Sequence, residues 1–174
     1  MLEVEIGCGN GHFLAEYAAR HPDTACLGVE LKMKRCLKAT LKLERLGLPR
    51  AWILRATGEQ VLGQLPDGAV TRYHLYFPDP WPKGRHRRRR FLRWPNLEQL
   101  ARTLAPGGEL QFATDFFDYY LQGKLLCLLH PALELASAYP SGDIFRSVYG
   151  SFFAGKGRRV FSFIARRKNT RSSQ

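Results

Sequence analysis

Leu2-Glu3-Val4-Glu5-Ile6-Gly7-Cys8-Gly9-Asn10-Gly11 opens the chain. Residues Leu2 to Ile6 read as a buried strand, which runs into a turn with glycine at every second position. Glycine takes left-handed backbone angles at little steric cost, so such a turn lets a ligand approach the main chain closely. The spacing is G-x-G-x-G, not the G-x-G-x-x-G of a dinucleotide turn. Glu5 stands two residues before the first glycine. Its carboxylate would repel a pyrophosphate and suits a cationic ligand, such as a sulfonium that carries an amino-acid ammonium. A purely structural turn fits the same residues.

Outward from this turn, strand and helix patterns alternate. Phe13, Leu14, Tyr17 and Ala18 follow helical spacing that stops before His21-Pro22-Asp23. Ala25 to Val29 predicts a second strand ending at Glu30. Lys32 to Leu46 predicts an amphipathic helix with Met33, Leu37 and Leu41 on its core face and Lys34, Lys38, Lys42 and Arg45 opposite. Gly47 and Pro49 close it. Strands are then expected at Ala51 to Arg55, Arg72 to Phe77, Glu109 to Thr114, Leu133 to Ala138 and Arg158 to Arg166. Helices are expected at Glu59 to Leu65, from Pro95 to the Pro106-Gly107-Gly108 turn, and at Phe116 to Leu129. Tyr139 to Gly157 reads as irregular, and Asn169 to Gln174 as a polar, disordered tail. One domain is therefore expected over residues 1–168. The alternation predicts right-handed crossovers and an α/β, doubly wound, mostly parallel sheet with helices on both faces. Ligands bind such sheets at the carboxyl ends of the strands. The glycine turn, Glu30, Thr57, Asp79 and Asp115 all fall at those ends.

Charge points to the partner. The 174 residues carry a net charge of +12. Seven Lys or Arg and no acid lie between Lys83 and Arg93, and eight more follow Asp143. A basic surface this strong suits nucleic acid. It lacks a basic amphipathic helix with apolar anchors, and no apolar run is long enough to span a bilayer, so no membrane partner is expected. Cys8, Cys26, Cys36 and Cys127 are scattered with no C-x-x-C pair, which suggests neither a zinc knuckle nor a disulfide scaffold and reads as buried apolar thiols. The first 20 residues do not resemble a secretory signal, so the expected compartment is cytoplasmic.

Two further segments narrow the chemistry. Gly28-Val29-Glu30 places an acid at a strand end, where a carboxylate can accept both hydroxyls of a ribose. Residues 73–90 read Tyr-His-Leu-Tyr-Phe-Pro-Asp-Pro-Trp-Pro-Lys-Gly-Arg-His-Arg-Arg-Arg-Arg. Pro78, Pro80 and Pro82 fix φ and favour extended neighbours, so the segment is expected to be a stiff loop that ends a strand and cannot continue as helix. It holds one carboxylate, Asp79, and one large aromatic, Trp81, beside a dense positive field. That suits a flat polar ring borne by a polyanion; a solvated basic loop is the plainer reading.

The glycine turn with Gly28-Val29-Glu30 resembles the class I S-adenosylmethionine-dependent methyltransferase fold, which is Rossmann-like with a seven-stranded sheet. Phe77-Pro78-Asp79-Pro80-Trp81-Pro82-Lys83-Gly84-Arg85-His86, followed by Ala113-Thr114-Asp115, closely resembles the tRNA (guanine-N7-)-methyltransferase family. The resemblance implies methyl transfer from S-adenosylmethionine to N7 of guanosine at position 46 of tRNA. It implies Asp79 as the catalytic carboxylate. Glu5, Gly7, Gly9, Gly11, Glu30, Ala56, Thr57 and Asp79 would border the cofactor. Lys83, His86, Arg89, Asp115 and Ser147 would contact the substrate. Lys83, Arg85 and Arg87 to Arg90 are expected to meet phosphates, and Trp81 either packs on a base or braces its loop. A monomer or homodimer is expected. Two positions depart from the family. Its Asp-Ala pair after the third strand is replaced by Ala56-Thr57-Gly58, and its Thr-x-x-Glu motif is matched only by Ser147-Val148-Tyr149-Gly150. Members usually carry a segment before the first strand. The rival readings are a non-catalytic RNA-binding protein on this fold and a methyltransferase for another RNA or a small molecule, the basic loop arguing against a small substrate.

Overall fold

The computed structural model describes residues 1–136 and 159–169. The strands are β1 (Leu2–Ile6), β2 (Ala25–Glu30), β3 (Ala51–Arg55), β4 (Val70–Tyr76), β5 (Leu104–Thr114), β6 (Leu133–Leu135) and β7 (Phe161–Arg167). Between them lie α1 (His12–Arg20), α2 (Met33–Arg45), α3 (Gly58–Gln64), α4 (Trp94–Thr103) and α5 (Phe117–Leu129), with a 3-10 helix at Gly84–Arg89. The sheet order is β3-β2-β1-β4-β5-β7-β6. β1 to β5 pair in parallel, and β7 runs antiparallel to both β5 and β6. The chain is thus the expected α/β doubly wound sheet, mostly parallel. The strand order reverses direction between β1 and β4, which opens a crevice at their carboxyl ends.

Strand periodicity decides which side chains meet which helices. On β1, Val4 and Ile6 join the larger core beneath α3, α4 and α5. Glu3 and Glu5 point to the other face, beneath Phe13 and Tyr17 of α1, and both are buried. A row of polar side chains crosses that face. Arg72 Nη1 donates to Glu3 Oε1 at 3.2 Å and to the Tyr17 hydroxyl at 2.8 Å. His74 Nε2 lies 2.8 Å from Glu3 Oε2, and its Nδ1 lies 3.0 Å from the Tyr76 hydroxyl. The Tyr76 hydroxyl donates to Gln111 Oε1 at 2.7 Å. Burial alone would raise the Glu3 carboxyl; bonding to His74 and the charges of His74 and Arg72 hold it below its ordinary value.

The structure corrects four expectations. Met33, Leu37 and Leu41 of α2 are exposed, and the helix instead packs through Cys36, Ala39 and Leu43. The reason is closeness: a Cβ on Gly11 would lie 2.8 Å from the Ala39 Cβ, so only small residues fit this contact with the start of α1. Lys42 is drawn inward as well, donating to the Asn10 carbonyl at 2.9 Å. The basic run after Lys83 is helical at Gly84–Arg89. The strand expected from Glu109 begins at Leu104, with a register shift opposite β4 between Val70 and Arg72. β6 ends at Leu135. The four cysteines are buried and free, as their spacing suggested. Among the described residues, no helix is long and apolar enough to cross a membrane.

Candidate functional site

The loop after β1 is latched to the tip of β2. The N–H groups of Gly7 and Cys8 both donate to the Val29 carbonyl, at 2.8 and 3.0 Å. The N–H of Gly9 donates to Glu30 Oε2 at 3.1 Å, and that of Lys32 to Glu30 Oε1 at 2.8 Å. Two main-chain donors therefore fix the Glu30 carboxylate and leave lone pairs toward the crevice. Gly7 and Gly9 have φ of +80° and +57°, with open space where a Cβ would stand. Gly11 differs: it too has positive φ, but it serves the packing of α1 on α2. Glu5 lies beneath this loop, and its Oε2 is buried with no hydrogen-bond partner among the described residues. Burial pushes its carboxyl up to about 8, a bond from the Leu14 main chain offsets part of this, and nearby Glu30 adds to it.

Between β1, β2 and β4 lies a cleft of about 610 Å³, within the range that holds small-molecule cofactors. Gly7, Gly9, Glu30, Ala56, Thr57 and Asp79 all line it. Glu5 lines a smaller adjoining recess that shares Gly7, Gly9, Arg35, Tyr76 and Phe77 with the cleft. Thr57 is the N-cap of α3: its hydroxyl accepts from the Gln60 N–H at 3.2 Å, and Gln60 Oε1 accepts from the Thr57 N–H at 2.9 Å. That reciprocal capping box takes the Thr57 N–H, the Thr57 carbonyl accepts from the Val61 N–H at 3.3 Å, and the hydroxyl keeps its O–H as a donor. Glu59, also in the lining, accepts from Asn96 Nδ2 at 3.2 Å. Phe91 closes one side and packs so tightly on Gly58 that a Cβ there would stand 2.4 Å from its ring.

The opposite wall is the Pro78–Pro82 loop. Asp79 is exposed in the cleft lining. The residues that flank it, Phe77 and Trp81, have φ of 50° and 42° although neither is glycine. Such angles are costly for large side chains and persist only where neighbours over-determine them. At one end, the Phe77 N–H donates to the Ala113 carbonyl at 2.7 Å.

The 3-10 helix explains the basic run. With three residues per turn, side chains three apart eclipse one another. Arg87 and Arg90 share one side and both bind Asp118, to Oδ1 at 2.8 Å and Oδ2 at 2.7 Å. His86 and Arg89 share a second side and both meet Trp81, edge-on at 5.8 Å and over the ring at 4.9 Å. Trp81 therefore braces its loop while it lines the cleft. Arg85 and Arg88 share the third side and are exposed, as is Lys83. Arg90 is the correction: it is fully buried and cannot reach a phosphate. Asp115 follows the last residue of β5 and stands outside the cleft lining, and Ser147 lies outside the described residues. The sequence reading missed Arg35, Tyr76 and Phe91; an aromatic just past the basic run was the one signal for Phe91.

A family described as "Putative methyltransferase" matches residues 1–140. The chain is 35% identical over 176 residues to a tRNA (guanine-N(7)-)-methyltransferase of Geobacter metallireducens, covering 96% of this chain and 82% of the relative. A protein of the same description from Alkalilimnicola ehrlichii is 41% identical over 170 residues, covering 95% and 72%. In three dimensions the chain is similar to a variant of the 16S rRNA (adenine(1408)-N(1))-methyltransferase from Catenulisporales acidiphilia, solved with cosubstrate SAM. The TM-score is 0.65 at 15% identity, over 99% of this chain and 88% of that one, a likeness of fold.

Proposed function

The chain belongs to the tRNA (guanine-N(7)-)-methyltransferase family, and we propose that it carries a methyl group from S-adenosylmethionine to N7 of guanosine 46, with Asp79 at the reacting centre. The observation that carries this reading is the convergence of Glu30, Ala56, Thr57 and Asp79 on one cleft beside a helix of arginines.

The residues present fit the cofactor. The buried, unpartnered Glu5 Oε2 offers an acceptor to an ammonium. Glu30 offers its remaining lone pairs to ribose hydroxyls, and Gly7 and Gly9 leave room at the main chain. When bound, the sulfonium supplies an electrophilic methyl group to a purine nitrogen that already holds a free lone pair. No base has to remove a proton first, so the protein's task is alignment. Asp79 stabilises the positive charge that grows on the purine. Asp115 accepts from guanine N1–H and N2–H, which rejects adenine. His86 and Arg89 hold Trp81 at the rim, and Lys83, Arg85 and Arg88 gather phosphates without reading sequence.

The test is transfer of labelled methyl groups from S-adenosylmethionine to an unmodified tRNA and to the same tRNA with adenosine at position 46. Label at N7 in the first and none in the second is the expected result. Equal label in both removes position 46, and no label in either removes the activity.

A further inference from the structure

We propose that Arg90 is a positioning residue for this reaction, holding the Asp79 loop at a fixed separation from the Asp115 turn. The inference rests on the role given to Asp79 above. Arg90 is among the largest fully buried side chains of the described residues. Its Nε donates to the Pro80 carbonyl at 2.8 Å, one residue from Asp79. Its Nη2 donates to Asp118 Oδ2 at 2.7 Å and its Nη1 to Gln122 Oε1 at 2.5 Å. The guanidinium also lies over the Phe116 and Tyr119 rings, at 5.6 and 4.8 Å. Phe116 is the N-cap of α5 and directly follows Asp115.

One planar cation therefore ties the proline loop to the helix that begins beside Asp115. The loop needs such a tie. Its two left-handed, non-glycine residues would relax if nothing outside held them. Phe77 is anchored at the start through Ala113, and Arg90 anchors the far end through Pro80, so Asp79 stands between two fixed points. Lysine cannot replace this fork, because an ammonium is a point charge without the planar set of donors.

Arg90→Lys tests the proposal, with Asp79→Asn and the Arg85→Ala/Arg88→Ala double variant as references. The expected result is a kcat lower by about 10- to 100-fold, as for a small misplacement of a reacting group. KM for tRNA and the salt dependence of tRNA binding stay unchanged, whereas the double variant moves the salt dependence. Added guanidinium partly restores kcat in Arg90→Ala. An unchanged kcat in folded Arg90→Lys overturns the proposal, and so does a shallower salt dependence at full kcat. If Arg90→Lys does not fold, Gln122→Leu decides: lower kcat at constant KM supports the brace, and unchanged kcat overturns it. Full activity in Asp79→Asn sinks the role of Asp79 instead, and with it the brace as stated. An inactive Asp79→Asn beside a fully active Arg90→Lys sinks the brace alone.

Discussion

The two loops that flank the cleft both use left-handed backbone, and they reach it by opposite means. After β1, glycines at 7, 9 and 11 take positive φ with no side chain to clash. After β4, Phe77 and Trp81 take similar angles with large side chains attached. The first loop takes these angles without strain and is latched by its main chain to the tip of β2, at Val29 and Glu30. The second is held from outside, by Ala113, by Arg90, and by His86 and Arg89 against Trp81. A loop made of glycine sits close to its ligand at little conformational cost. A loop held in strain can aim one carboxylate, and it depends on its neighbours to do so.

Four experiments test this contrast. Asp79→Asn, read by single-turnover methyl transfer, lowers the rate by about 10²- to 10³-fold, the size seen when one aimed electrostatic group is removed. A rate within threefold of the parent would show that the strained loop aims nothing. Gly11→Ala, read by denaturant or thermal unfolding, destabilises by about 2–4 kcal/mol, from left-handed strain plus overpacking on Ala39. Gly7→Ala, with open space at its Cβ, costs only the strain, about 1–2 kcal/mol. Equal losses at the two sites would contradict the division between a packing glycine and a ligand-facing one.

The third experiment concerns Glu5, whose burial holds its carboxyl at about 8 when folded, against an ordinary value of 4.5. The folded state then binds the extra proton between those values. Stability from this group is greatest below about pH 4.5 and falls as pH rises toward 8, by roughly 1 kcal/mol per unit. Tm should therefore fall more between pH 5 and 8 in the parent than in Glu5→Gln. Parallel curves would mean that Glu5 ionises freely. The smallest effect is in RNA binding. Arg85→Ala/Arg88→Ala reduces the slope of log K against log salt by about two. Arg87→Ala, whose guanidinium is taken by Asp118, should change that slope less.

The strand ends were legible in the sequence because apolar runs stop there at polar residues: Glu30, Thr57, Asp79 and Asp115. Local spacing also revealed the glycine turn. The core face of α2 was not legible, since large apolar residues mark it at Met33, Leu37 and Leu41 while tight packing against α1 selects Cys36 and Ala39. The arginine run carried its charge openly but not its sorting. Arg88 lies within the 3-10 helix and stays exposed, whereas Arg90 caps its end in extended backbone and turns inward to Pro80, Asp118 and Gln122. The row of Glu3, His74, Tyr76 and Gln111 bonds side chains up to 71 residues apart, and no local pattern announces such pairing.

Calorimetric titration with S-adenosylmethionine most directly tests the cleft that Glu30 and Asp79 line as a cofactor site. Saturable one-to-one binding by the parent protein is expected, with loss of most of that affinity in Glu30→Ala and the fold retained. Absence of binding in the parent, or undiminished binding in Glu30→Ala, would contradict it.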